Sequence, residues 1–167
     1  MTVQLVQLRL VDFEALAAGE LPADPPVPLT DCFLTPEWAS TWRRRARQVA
    51  EEPADADWVT GVIWDDATKI AVGRAGFHAA PDDRGMVEFG YAVDPTYRRQ
   101  GYARAALEIL LARARREPNV HVVRATVRPD NLPSLGLLKQ YPFVEVGEQW
   151  DDEDGLETIY EVSVTAL

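Results

Sequence analysis

Arg98-Arg99-Gln100-Gly101-Tyr102-Ala103 sets two guanidiniums, a glycine and a small residue between an extended apolar run, Met86 to Val93, and a stretch where Ala105, Ala106, Ile109, Leu110 and Ala114 recur at helical spacing. A turn at that junction opens a helix. The unpaired N–H groups of a first helical turn and the positive end of the helix dipole favour an anion, and Gly101 and Ala103 let phosphate oxygens approach the main chain. Arg98, Arg99 and Arg104 add side-chain charge. The chemistry these residues predict is the holding of a phosphate group.

Downstream, Asn131, Ser134, Leu138 and Tyr141 follow one another at offsets of three, seven and ten from Asn131, which places them along one helical face with Asn131 as a suitable N-cap. Two roles fit this stripe: it faces a bound cofactor, or Asn131 merely caps while Ser134 sits in the first turn. The single cysteine, Cys32, excludes an internal disulfide. Neither it nor the two histidines have metal-ligand spacing, so no metal is expected. A net charge of −10 disfavours sequence-independent attraction to nucleic acid and makes the arginines around Gly101 a local basic site in an acidic chain. The acidic remainder suits a cationic partner, or simply solubility.

The elements that must position these residues can be traced along the chain. Thr2 to Leu10 alternates as a first strand, and a short helix is expected from about Asp12 to Ala18. Leu21 to Thr35 carries Pro22, Pro25, Pro26 and Pro28, which forbid regular structure and predict a loop, ordered or mobile. Thr35-Pro36-Glu37 is a helix start, with Thr35 at the N-cap and an acid near the positive dipole end. In the helix that follows, Trp38, Trp42 and Val49 mark a buried face and Arg43, Arg44, Arg45 and Arg47 mainly a solvated one.

Trp58 to Trp64 and Ile70 to Ala79 read as a hairpin, and Met86 to Val93 continues it as a meander. A helix from about Arg99 to Glu117, a strand from His121 to Val127, the Asn131 helix, and a terminal hairpin of Phe143 to Trp150 and Thr158 to Val164 complete the order. Its tip, Asp151-Asp152-Glu153-Asp154-Gly155, is either an ordinary solvated turn or a binder of ammonium. No repeat or composition shift marks a boundary, so residues 1–167 are expected to form one domain. No apolar run reaches membrane-spanning length and no basic leader opens the chain, so a cytoplasmic protein without a membrane partner is the expectation.

The turn resembles the acyl-CoA-binding signature of the GCN5-related N-acetyltransferase (GNAT) family, in which Arg or Gln, two residues, Gly, one residue and Gly or Ala stand as Arg98-Arg99-Gln100-Gly101-Tyr102-Ala103 do here. Asn131-Leu132-Pro133-Ser134 and the segment through Tyr141-Pro142-Phe143 resemble the same family's Asn-x-x-Ser helix, in the style of its ribosomal-protein N-terminal members. The resemblance implies an α/β (α+β) fold: a mixed, mostly antiparallel central sheet splayed after the fourth strand, with helices on both faces. It also implies acetyl-CoA as cosubstrate and a primary amine as acceptor, either a small molecule or a peptide N-terminus, and it allows a homodimer.

By that resemblance Tyr91, Ala92 and Val93 at the end of the fourth strand pair with the pantetheine arm, and Arg98, Arg99, Gln100, Gly101, Tyr102, Ala103 and Arg104 hold the pyrophosphate, with Asn131 and Ser134 also at the cofactor. Glu88, ahead of Phe89-Gly90-Tyr91, stands where relatives carry a catalytic carboxylate and is the candidate base, acting directly or through water. Many members carry a tyrosine as acid seven residues after the motif Asn; here that residue is Leu138, which leaves the Ser134 hydroxyl as the candidate donor to the leaving thiolate. The Val93 N–H is the candidate oxyanion stabiliser. A CoA-binding module that has lost turnover is the alternative, motivated by Leu138.

Overall fold

The computed structural model describes Met1–Leu167. In chain order the elements are β1 (Val3–Gln7), α1 (Leu10–Ala17), α2 (Pro36–Glu51), β2 (Gly61–Asp65), β3 (Ile70–Phe77), β4 (Met86–Val93), α3 (Tyr102–Arg116), β5 (Val122–Val127), α4 (Leu132–Leu138), β6 (Val144–Asp151) and β7 (Gly155–Ser163). The strands follow the sheet order β1-β2-β3-β4-β5-β7-β6. The β1/β2, β2/β3, β5/β7 and β6/β7 pairs are antiparallel and β4/β5 is parallel, so the sheet is mixed and mostly antiparallel, as expected.

Several boundaries move for identifiable reasons. The strand expected from Trp58 begins only at Gly61, because Trp58 and Val59 donate their N–H groups back to the Asp55 carbonyl, at 2.9 and 3.2 Å, and are held in a turn. α3 begins at Tyr102 rather than Arg99, since Arg99 (φ 63) and Gly101 (φ 89) both adopt the left-handed conformation. α1 begins at Leu10: Asp12, expected to open it, lies inside its first turn and accepts the Arg9 N–H at 2.8 Å. β7 starts at Gly155, earlier than the expected Thr158, because the hairpin closes tightly at the Asp151/Gly155 pair.

Packing divides the chain into two compact units. The first comprises Met1–Ala80 and Gly90–Ile109. Its core gathers Phe13, Phe33, Trp38, Trp42, Val49, Val62 and Trp64, with the Phe33 and Trp42 rings stacked at 5.8 Å. The α2 stripe follows helical spacing through Trp38, Trp42 and Val49. Arg45 falls in that stripe and is 5% exposed, which corrects its expected place on the solvated face. It is accommodated because its Nε donates to Thr60 Oγ1 at 3.1 Å and its Nη1 to Gln48 Oε1 at 2.6 Å and the His78 carbonyl at 3.2 Å.

Thr35 does precede α2, but its hydroxyl does not cap the helix. It donates to the Cys32 carbonyl at 2.8 Å and closes a 3-10 turn, Asp31–Leu34. The proline-rich segment is thereby ordered and pinned at both ends. Arg9 Nη2 donates to the Asp24 carbonyl at 2.5 Å, and Trp42 Nε1 donates to the Phe33 carbonyl at 2.7 Å beside a fully buried Phe33 ring. Burying a side chain of that size contributes roughly 1.5–3 kcal/mol toward anchoring the C-terminal end of the segment.

The second unit comprises Pro81–Phe89 and Leu110–Leu167. Met86, Val87 and Glu88 of β4 pair in parallel with Val122, Val123 and Arg124 of β5, which pairs in turn with β7 and β7 with β6. Alternation along β5 buries Val123, Ala125 and Val127 and leaves Val122, Arg124 and Thr126 half-buried on the opposite face. Val87 and Phe89 are buried in the same alternation along β4, and the Phe89 ring lies 6.1 Å from that of Phe143.

Candidate active site

The turn after β4 is built in two steps. Asp94 Oδ1 accepts the Thr96 N–H at 2.8 Å and its carbonyl accepts the Tyr97 N–H at 2.8 Å, folding Pro95–Tyr97 into a 3-10 turn. The Asp94 N–H donates to the Val72 carbonyl at 2.8 Å, which fastens the turn to β3. Arg98 folds back, its Nε donating to the Val93 carbonyl at 3.2 Å. Arg99 and Gly101 then reverse the chain with positive φ, and the first bond of α3 runs from the Ala105 N–H to the Gly101 carbonyl at 3.0 Å.

Arg98, Arg99, Gln100, Gly101 and Arg104 are exposed and Ala103 is half-buried. A Cβ at Gly101 would meet only Met1 Cε, at 3.5 Å, so the glycine is required by its conformation rather than by crowding within the chain. The arrangement gathers helix N–H groups and guanidiniums at one exposed place, which suits an anion.

Tyr102 is different from its neighbours. Its side chain is 7% exposed and its hydroxyl donates to Asp65 Oδ2 at 2.7 Å. Hydrogen bonding to Asp65, with burial second, raises the phenol to about 12, and the same bond holds the Asp65 carboxyl below its ordinary value. Any contact Tyr102 makes with an anion at the turn is therefore through its main chain. Composition and spacing gave no hint of Asp65, a buried acid at the end of β2.

On β4, Tyr91 and Ala92 are half-buried and Val93 is buried. Gly73 of β3 lies so close to the Ala92 carbonyl that no Cβ fits between them. Glu88 is half-buried and stands in register with Arg124, which itself pairs with Glu161: Arg124 Nε and Nη2 donate to Glu161 Oε2 at 2.9 and 2.6 Å. Register partners share a face, so Glu88, Arg124 and Glu161 project from the same side of the strands.

Glu157, four residues before Glu161 and on that side too, is 8% exposed and accepts from Gln149 Nε2 at 3.3 Å. Burial first, then the negative charges of Asp151, Asp154 and Glu88, push its carboxyl above the ordinary range. Sequence reasoning missed Glu157 by assigning it to the loop; the parity Glu157, Ile159, Glu161 was the available signal.

In α4, Asn131 Oδ1 accepts the Ser134 N–H at 3.3 Å, so Asn131 is a cap. Ser134 is half-buried, while Leu138, at the family's tyrosine position, is 4% exposed and part of the core. At the hairpin tip, Asp151 Oδ1 accepts the N–H groups of Glu153 and Asp154, both at 2.8 Å, as an ordinary turn would have it. Cys32 is half-buried, and burial followed by Asp94 raises its thiol to about 11, so it is no thiolate at neutral pH. No helix is long and apolar enough to cross a membrane.

Residues 2–144 match the family described as acetyltransferase (GNAT) domain, with both the arginine–glycine turn and the Asn131 helix inside the match. The chain belongs to the GNAT family. Among curated proteins this GNAT chain is 36% identical over 73 residues to an uncharacterised N-acetyltransferase, YjdG, from Bacillus subtilis (44% of either chain), and 27% identical over 100 residues to another, p20, from Bacillus licheniformis (60% of this chain, 56% of that one). The chain spans about half the length of the curated relatives it matches.

Solved structures share its fold over nearly the whole length. A chimera of the spermidine N-acetyltransferase SpeG from Vibrio cholerae and hSSAT superposes with a TM-score of 0.70 at 16% identity, covering 99% of this chain and 97% of the other. A ribosomal-protein-S5-alanine acetyltransferase from Vibrio fischeri does so with 0.62 at 18% identity, covering 96% and 91%. At these identities the likeness concerns the fold.

Proposed function

We propose that the protein, with residues 1–167 as its domain, is an acetyl-CoA-dependent N-acetyltransferase that moves an acetyl group to a primary amine by direct attack in a ternary complex. The observation that carries this reading is the turn after β4, where Arg99 and Gly101 take left-handed conformations at the start of α3 among exposed arginines. In this reading, main-chain N–H groups from Gln100 to Arg104 and the side chains of Arg98, Arg99 and Arg104 hold the pyrophosphate, and the main chain of Tyr91, Ala92 and Val93 aligns the pantetheine arm.

Glu88 takes the proton of the attacking ammonium, directly or through water, and the Val93 N–H steadies the oxygen of the carbonyl under attack. The bond from amine nitrogen to acetyl carbon forms, the bond to sulfur breaks, and the Ser134 hydroxyl donates to the departing thiolate. Membership of the family and its N-acetyltransferase relatives support the reaction type. The test is thiol release from acetyl-CoA in the presence of a pooled amine library. Acetyl-CoA binding without release by any amine would favour the second reading, a CoA-binding module, for which buried Leu138 in place of a proton donor is the specific support.

A further inference from the structure

Gly90 of β4 leaves room for one particular group. A Cβ at Gly90 would lie 2.8 Å from His78 Nε2, with the ring carbons Cδ2 and Cε1 farther off at 3.7 and 3.9 Å, so the imidazole directs Nε2 at this strand and occupies the place of the missing side chain. Both residues belong to the first unit, and His78 is half-buried. Its main chain is fixed. The His78 carbonyl accepts from Gln48 Nε2 at 2.7 Å and from Arg45 Nη1 at 3.2 Å, and two residues on, the Ala80 N–H donates to Asp55 Oδ1 at 2.9 Å. Arg45 and Asp55 are buried, and Gln48 Nε2 also donates to Asp55 Oδ2 at 2.8 Å, so α2 and the turn after it commit buried polar groups to placing this one residue. Along β4, Val87 and Phe89 are buried while Glu88 and Gly90 lie on the opposite face. Side chains two apart on one face of a strand stand about 6.5 Å from each other, so a nitrogen over Gly90 is within reach of a glutamate side chain at position 88, alone or with one water between.

We propose that His78 receives the proton that Glu88 takes from the acceptor ammonium, so that base action belongs to a Glu88–His78 pair; this rests on the transferase reading above. A carboxylate alone is a weak base for an ammonium, whereas an imidazole is matched to proton transfer at neutral pH. An N–H bond of the ammonium breaks as its proton moves to the carboxylate. The carboxyl O–H then breaks as the proton passes to Nε2, the neutral ring carrying its other proton on Nδ1. The imidazolium releases the proton to water, and both side chains are returned to their starting states. Gly90 then has a role of its own, since a side chain there would push the ring off the face that carries Glu88.

The test follows one accepted amine at neutral pH with acetyl-CoA saturating. His78→Ala should lower kcat about tenfold or more while keeping the melting shift produced by acetyl-CoA, and added imidazole should restore part of the loss. Gly90→Ala, which displaces the ring, should lower kcat in the wild-type background but by less than about twofold in the His78→Ala background. Unchanged kcat in His78→Ala, a loss that imidazole leaves in place, or a Gly90→Ala effect that persists without the ring would overturn the assignment. If His78→Ala does not fold, His78→Gln decides: its amide keeps polar contacts but carries no proton, so a tenfold loss of kcat upholds the pair and an undiminished kcat overturns it. If no amine is acetylated, the transferase reading fails by itself, and His78 is decided by hydrolysis of acetyl-CoA without amine. The wild type should then release thiol faster than His78→Gln, and equal rates overturn the proposal.

Discussion

The Tyr102 hydroxyl donates to Asp65 Oδ2 at 2.7 Å, and this bond fastens the first residue of α3 to the last residue of β2. The same carboxylate accepts the Thr2 and Ala67 N–H groups at 3.2 and 3.0 Å, so the start of α3 is tied to the N-terminal residues and to the β2–β3 turn. The turn is thus held from beneath as well as by its own backbone.

Tyr102→Phe removes one donor from a buried carboxylate and should cost about 1–3 kcal/mol, a fall in Tm of roughly 2–10 °C, with weaker acetyl-CoA binding. Asp65 titrates below its ordinary value and Tyr102 above its own, at about 12. The bond's contribution is therefore complete at neutral pH, is lost as acid protonates Asp65 in the folded state, and is lost again as alkali ionises the phenol. Melting curves across pH should show the wild-type advantage closing only at these two extremes.

Gly101→Val places a β-branched residue at φ 89 and fills the space a phosphate oxygen would need. The variant should lose about 1–2 kcal/mol of stability and all of the melting shift produced by acetyl-CoA. A full shift in this variant would remove the turn from the binding site.

Glu88→Gln should lower kcat at neutral pH by about 10²-fold or more and recover in part at high pH, where the amine is already deprotonated. Ser134→Ala should lower kcat while leaving acetyl-CoA affinity nearly unchanged, because the hydroxyl serves the leaving group. Steady-state kinetics over a pH series, with one accepted amine, separates the two; undiminished neutral-pH activity in Glu88→Gln excludes it as base.

Glu157→Gln should stabilise the protein at pH 7 to 8. A carboxyl whose folded value is raised contributes stability below its ordinary value and loses it as pH rises through the folded one, so ionised Glu157 is a burden that the amide lacks, while Gln149 can still donate to it. Thermal melts should show the variant ahead by on the order of a degree or two near neutrality. The gap should vanish near pH 4.

Element order, the β4–turn–α3 junction and the capping role of Asn131 were legible because each rests on local rules: alternation, helical spacing, glycine and a cap within a few residues. What escaped was long-range. Asp65 gains its role from Tyr102, 37 positions away, and Arg45 is satisfied by Thr60 and the His78 carbonyl. Neither leaves a periodic trace, since the partner that decides each case is brought up by tertiary packing. The Glu157 strand start was hidden for a simpler reason: the run of acids at the hairpin tip looks the same whether the ladder begins before or after it.

The two fastenings of the proline-rich segment, Arg9 to the Asp24 carbonyl and Trp42 to the Phe33 carbonyl, hang the span between them from two fixed posts. Its ends are fixed by groups outside it, and Val27 and Leu29 pack against the core between them, so the exposed Pro26 and Pro28 are the positions open to change. A lineage of such proteins can diversify here at little risk to folding. A designer grafting a foreign loop should keep Asp24 and the Thr30 to Phe33 turn, and put apolar residues where Val27 and Leu29 stand.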